Sequence, residues 1–167
     1  RLAHTERETG FNTYWLKNLT EYIFQLESNV RLLGKEQAAS GRFQLYHLLA
    51  LDAMRFRVYA GYHAALTMNG LISPDSERLE LSDSSFLKSL VDHLWLDVSA
   101  QADYLNNRNI LAAKKGAYQR YYREYRPQLD LVIAAAHIAP VPPGKLEQLE
   151  STALTALDSA FSLIDII

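Results

Sequence analysis

Trp15, Leu19, Tyr22, Leu26, Val30 and Leu33 fall at steps of four, three, four, four and three residues near the start of this chain. That rhythm keeps one face of a long helix against a partner, and no strand can satisfy it, because strand faces repeat every second residue. A helix over residues 2–39 is therefore expected, with Gly10 and Gly34 as weak points and a break at Ser40-Gly41. The same rhythm returns further along. Residues 42–68 place Leu45, Leu48, Leu49, Phe56, Tyr59 and Leu66 on the inside of a second helix, which Asn69-Gly70 should stop.

Ser73-Pro74-Asp75 opens a loop reaching about residue 82, and Asp83 or Ser84 can cap a third helix. Its seam is Leu87, Leu90, Leu94, Val98 and Leu105, weakening at Asn106-Asn107. A basic stretch at Lys114-Lys115 and Gly116 precedes a fourth helix over residues 117–138. Pro127 lies inside that span and predicts a kink or restart near Arg126. Pro140, Pro142, Pro143 and Gly144 form the strongest breaker. A last helix starts near Gly144 and carries Leu146, Leu149, Ala153, Leu157, Phe161 and Ile164. Clean two-residue alternation is missing. The expected fold is all-α: an up-and-down antiparallel helical bundle of four long helices, with a fifth segment that is short or kinked. One way to accommodate the fifth is for the third and fourth segments to share a leg.

Of the 167 residues, 49% are hydrophobic and 22% charged, the balance of a globular domain rather than a disordered chain. The length suits a single domain over residues 1–167. A formal net charge of −2 offers no overall basic field for nucleic acid. Absence of cysteine removes disulfides, thiolate metal sites and cysteine nucleophiles. No run of about 18 apolar residues occurs, so no membrane span is expected within the segment. The opening at Arg1 and the apolar close at Phe161, Leu163, Ile164, Ile166 and Ile167 read as a piece of a longer protein.

Chemistry-bearing patterns are few. His4, His47, His63, His93 and His137 are scattered, and neither Glu-x-x-His nor His-Glu-x-x-His occurs, so no metal or cofactor is expected. Asp92 and His93 are neighbours in sequence and must leave a helix on different faces. No phosphate loop, nucleophile elbow or paired-carboxylate motif is present. Arg42 and His47 have the bare Arg-x4-His spacing of small helical ribonucleases of the HEPN type, with Phe43 where those enzymes carry a polar residue. Between Lys114 and Arg126, tyrosines 118, 121, 122 and 125 interleave with Lys115, Arg120 and Arg123. On a helix those tyrosines share a face and read first as a half-buried stripe flanked by solvated arginines. The alternative is a ligand surface, of which Tyr122 and Arg123 would be part. On the second helix, Asp52 and Arg55 can pair at i, i+3, and Arg55, Tyr59 and His63 share a face, with Arg57 nearby. An arginine turned into a bundle is one way to hold a carboxylate. Arg55, Arg57, Tyr59, His63, Tyr122 and Arg123 are the candidate ligand contacts; no catalytic residue is assigned.

One pattern goes further. The segment from Tyr14 to Glu27, followed by Asp52, Arg57, Val58 and Gly61 on the next helix, resembles the extracytoplasmic helical sensor region of bacterial membrane signalling proteins. The resemblance covers the first 60 residues best. It implies a non-catalytic periplasmic domain between two membrane helices of an inner-membrane protein, dimeric in its parent. That parent would carry a histidine kinase, diguanylate cyclase or phosphodiesterase module. The implied partners are a small-molecule or protein signal and a second copy of the chain, with the membrane next to both ends and no nucleic acid. A cytoplasmic helical adaptor that binds another protein, and an RNA-cleaving helical enzyme using Arg42 and His47, are the competing expectations.

Overall fold

The computed structural model of the chain describes residues 41–72, 79–136 and 138–165, and every side chain among them except those of Asn69, Ile72 and residues 79–84. The ladder from Trp15 to Leu33, the helix expected over residues 2–39, His4 and His137 lie outside the described residues. The chain divides into two compact units, residues 1–44 and 45–167. Residues 41–44 are the described part of the first and open a helix that continues into the second.

The described residues are all-helical, with no strand among them. α1 spans Gly41–Ile72 and α2 spans Leu79–Leu105. α3 covers Arg108–Tyr118 and passes directly into a π-helix, Gln119–Tyr125, and then into α4, Arg126–Ala136. α5 is Pro143–Asp165.

The helix ends follow from local chemistry. α2 stops because Asn106 adopts a left-handed conformation, φ 48°. Its N–H bonds back to the Ala102 carbonyl at 3.2 Å, closing the last turn. Asn107 then caps α3. Its side-chain oxygen accepts from the Asn109 and Ile110 amides at 2.9 and 3.4 Å, and its own carbonyl accepts the first helical bond from Leu111. The third and fourth expected segments are thus separate helices joined at two asparagines, not one shared leg. Ahead of α5, the Pro142 carbonyl accepts from Lys145 and Leu146, and Pro143 takes the first helical position, where a missing N–H costs nothing.

Three boundaries differ from expectation. α1 runs through Asn69-Gly70 to Ile72, since no glycine among the described residues has the positive φ that would end it there. α2 begins at Leu79, so Asp83 and Ser84 are inside the helix rather than capping it. The fourth helix begins at Arg108, which puts Lys114, Lys115 and Gly116 within α3. The restart at Arg126 is present, as the junction where the π-helix gives way to α4.

The core of the second unit is built from heptad-like faces. α1 supplies Leu49, Ala53, Phe56, Ala60 and Ala64; α2 supplies Leu87, Val91, Leu94, Val98, Ala102 and Leu105. α5 supplies Leu149, Ala153, Ala156, Ala160 and Leu163. Its three alanines let α5 lie close against α3 and the π-helix. Leu149 and Ala153 are buried as read, but of the other residues expected inside, Leu48 and Phe161 are exposed, and Leu146, Leu157 and Ile164 only half-buried.

Candidate functional site

The interior holds an aromatic cluster drawn from four elements. Phe56 of α1 is fully buried, with ring centroids 5.1 Å from both Trp95 of α2 and Tyr121 of the π-helix. Trp95 lies 5.6 Å from Tyr122, which stacks on Tyr118 at 5.3 Å. Tilted and edge-on pairs at these separations contribute beyond the area they bury. The tyrosine stripe reaches this cluster through the π-helix. Pro127 has no N–H to donate, and its ring crowds the carbonyl four residues earlier, so the chain ahead of it must adjust. The adjustment is a wider turn, in which the Arg126 amide bonds to the Tyr121 carbonyl five residues back.

At the edge of the rings sits a forked ion pair. Both terminal nitrogens of Arg126 donate to Asp92 of α2, Nη1 to Oδ1 and Nη2 to Oδ2, the latter at 3.1 Å. Tyr122 Oη also donates to Asp92 Oδ1, at 3.0 Å. The two partners differ in setting: the Arg126 side chain is 9% exposed and the Asp92 side chain 46%. The guanidinium is inside, and the carboxylate reaches it from the rim. Arg126 also lies over the rings of Tyr121 and Tyr122. Burial works against the Asp92 carboxylate, but the hydrogen bonds and charge of Arg126, with help from Tyr122, hold it below the ordinary carboxylate range. Likewise burial disfavours the Arg126 cation, and Asp92 more than restores it. A second pair, Lys88–Asp130 at 3.2 Å, joins the same two helices near the surface.

Three polar groups around this pair are buried without a hydrogen-bond partner among the described residues: His63 Nδ1, Tyr121 Oη and Tyr125 Oη. Burial, with Arg126 and Lys88 adding positive charge nearby, pushes His63 down to about 4, so its ring is neutral. Burial raises both tyrosine hydroxyls, which keeps them protonated. Each hydroxyl beside Arg126 therefore keeps a proton to donate, and among the described residues no carboxylate other than Asp92 accepts from the guanidinium.

The structure brings only two of the six candidate contacts to this place: His63 from α1 and Tyr122 from the π-helix. Arg55 pairs with Asp52 at 3.0 Å, as the i, i+3 spacing predicts, and Gln101 of α2 donates to the other Asp52 oxygen at 2.6 Å. Burial raises the Asp52 carboxyl. Arg57 lies 3.8 Å from the centre of the Phe161 ring on α5, with Asp158 at 3.9 Å; burial lowers its basicity more than Asp158 restores it. Tyr59 is half-buried beside the core. Arg123 is exposed, and Tyr118 is the ring beneath it. Arg42 is exposed in the first turn of α1 and His47 is half-buried one turn later. His93 is exposed and bonds to the Ser89 carbonyl, while Asp92 turns inward, as adjacent residues must.

Sequence reasoning missed Asp92, Tyr121, Tyr125 and Arg126 as a set. It placed the flanking arginines in solvent, and Arg126 is the exception, buried to 7%. The available signal was Asp92 between Val91 and Leu94 of the core seam, and an arginine directly before a helix-interior proline. Among the described residues no group of three His, Asp or Glu side chains could hold a metal ion, and no helix is long and apolar enough to cross a membrane. No protein-family model, curated protein or solved structure matches the chain.

Proposed function

We propose that this chain is a non-catalytic sensing domain of a bacterial transmembrane signalling protein, placed in the periplasm and working as a homodimer in its parent. Its helices would run up and down as an antiparallel bundle, and its input would be a small molecule or another protein rather than nucleic acid. The observation that carries this reading is the buried Arg126 fork. A charged link between α2 and the π-helix–α4 segment, beside polar groups that find no partner among the described residues, is a costly way to stabilise a core. It is a natural place for a signal to alter how two helices sit, because a ligand that favours one arrangement shifts the population toward it.

A thermal-shift screen of small acids, amino acids and polyamines tests this. A ligand of the proposed kind raises the melting temperature of the wild-type domain by mass action. The shift should disappear in Arg126→Lys, which keeps the charge and loses the planar fork. RNA cleavage by the domain, abolished by Arg42→Ala, would replace this reading with the ribonuclease one.

A further inference from the structure

The neighbourhood of Arg126 has more N–H and O–H protons than its one carboxylate can accept among the described residues. Arg126 offers five N–H groups, and Tyr121, Tyr122 and Tyr125 each offer a hydroxyl. Opposite them stands one carboxylate, Asp92, whose two oxygens already take Nη1, Nη2 and the Tyr122 hydroxyl. Among the described residues the Tyr121 and Tyr125 hydroxyls find no acceptor and His63 Nδ1 has no partner, on side chains no more than 2% exposed. Asp130, the other carboxylate nearby, is engaged by Lys88.

Asp92 is also the member of the fork best able to leave. Nearly half its side chain is in solvent, so a rotamer change returns its charge to water, whereas Arg126 has no such escape. The rim beside it is aromatic: Tyr118 is 39% exposed, Tyr122 half-buried and Trp95 beneath them.

We infer that Arg126 is the receptor for a small monocarboxylate with an apolar or aromatic tail, and that Asp92 occupies the receptor as an internal competitor until the ligand displaces it. The ligand carboxylate takes the fork on Arg126 and the hydroxyls of Tyr122 and Tyr121, and its tail lies against Tyr118 and Trp95. This assignment rests on the sensing role proposed above and names the chemistry of its signal.

Isothermal titration of the 167-residue chain with sodium benzoate and sodium acetate, in matched sodium chloride, tests it. Removing the competitor should raise apparent affinity in proportion to the fraction of molecules it blocks. Asp92→Asn is therefore expected to bind benzoate on the order of 10–100-fold more tightly than the wild type. Benzoate should bind more tightly than acetate. Adding Tyr121→Phe to Asp92→Asn, which removes one hydroxyl and keeps the ring, should weaken benzoate by roughly fivefold. Equal affinity in wild type and Asp92→Asn, or no effect of Tyr121→Phe, overturns the assignment.

Should Asp92→Asn fail to fold, wild-type protein titrated with benzoate gives the same answer by nuclear magnetic resonance. Shifts at Arg126 Nε and Trp95 Nε1 support the site, and their absence at saturating benzoate overturns it. If benzoate and acetate fail while another solute raises the melting temperature in an Arg126-dependent way, the carboxylate assignment falls and the sensing role stands. If the domain proves to lie in the cytoplasm, the periplasmic sensing role falls whatever benzoate does.

Discussion

His63 should make the domain lose stability on mild acidification, well above the pH at which carboxylates titrate. Its ring is 2% exposed and its charged form is disfavoured by burial first, then by Arg126 and Lys88, with Asp130 and Asp92 opposing them only in part. The folded value near 4 lies below the ordinary 6.5. Between those values the unfolded chain binds a proton that the folded one refuses, so stability is full above about 6.5 and falls as pH drops toward 4. At about 1.4 kcal/mol per tenfold change in proton concentration, the loss between pH 7 and pH 5 is about 2 kcal/mol. Urea unfolding followed by circular dichroism at pH 7, 6 and 5 measures it. His63→Gln, which cannot titrate, should flatten this part of the curve. Asp92 works at lower pH: its depressed value contributes stability that is lost only as pH falls through and below the ordinary carboxylate range. Asp52, raised by burial, acts in the opposite sense just above that range and is common to both proteins. Equal slopes for wild type and His63→Gln between pH 5 and 7 would refute the buried, neutral setting of His63.

Other consequences are simpler. Gly116 lies in the exposed interior of α3, and an added Cβ there meets nothing within 4 Å, so Gly116→Ala should stabilise by about 0.5–1 kcal/mol in the same assay. Asn107→Ala removes the cap of α3 and should cost about 1 kcal/mol. Phe56→Ala opens a cavity between Trp95 and Tyr121 and should cost about 3–5 kcal/mol, lowering the melting temperature.

Much of the fold was legible because spacing and breakers are local. The α2 seam from Leu87 to Leu105 is buried almost as read, with Leu90 half-exposed, and the proline-rich break ahead of α5 stands where expected. The α5 face was read correctly at Leu149 and Ala153 and missed at Ala156 and Ala160, because alanine is weakly hydrophobic by itself. Ala156 and Ala160 are buried because their size permits close approach to α3, which no single-helix pattern reveals. Asn106-Asn107 read as a weakness and is a sharp two-residue corner, since one residue ends α2 while the next caps α3. The site was less legible than the core. Arg126 and Asp92 are 34 residues apart, and their pairing depends on how α2 meets the π-helix. Charged residues are placed in solvent by default, and only tertiary structure marks the exception.

The central claim, a sensing domain outside the cytoplasm, is met most directly by the topology of the full-length gene product. Alkaline phosphatase inserted into the exposed stretch at Pro140–Pro142 should be active in cells, and a green fluorescent protein at the same place should be dark. A bright fluorescent fusion with inactive phosphatase would place the domain in the cytoplasm and contradict the account.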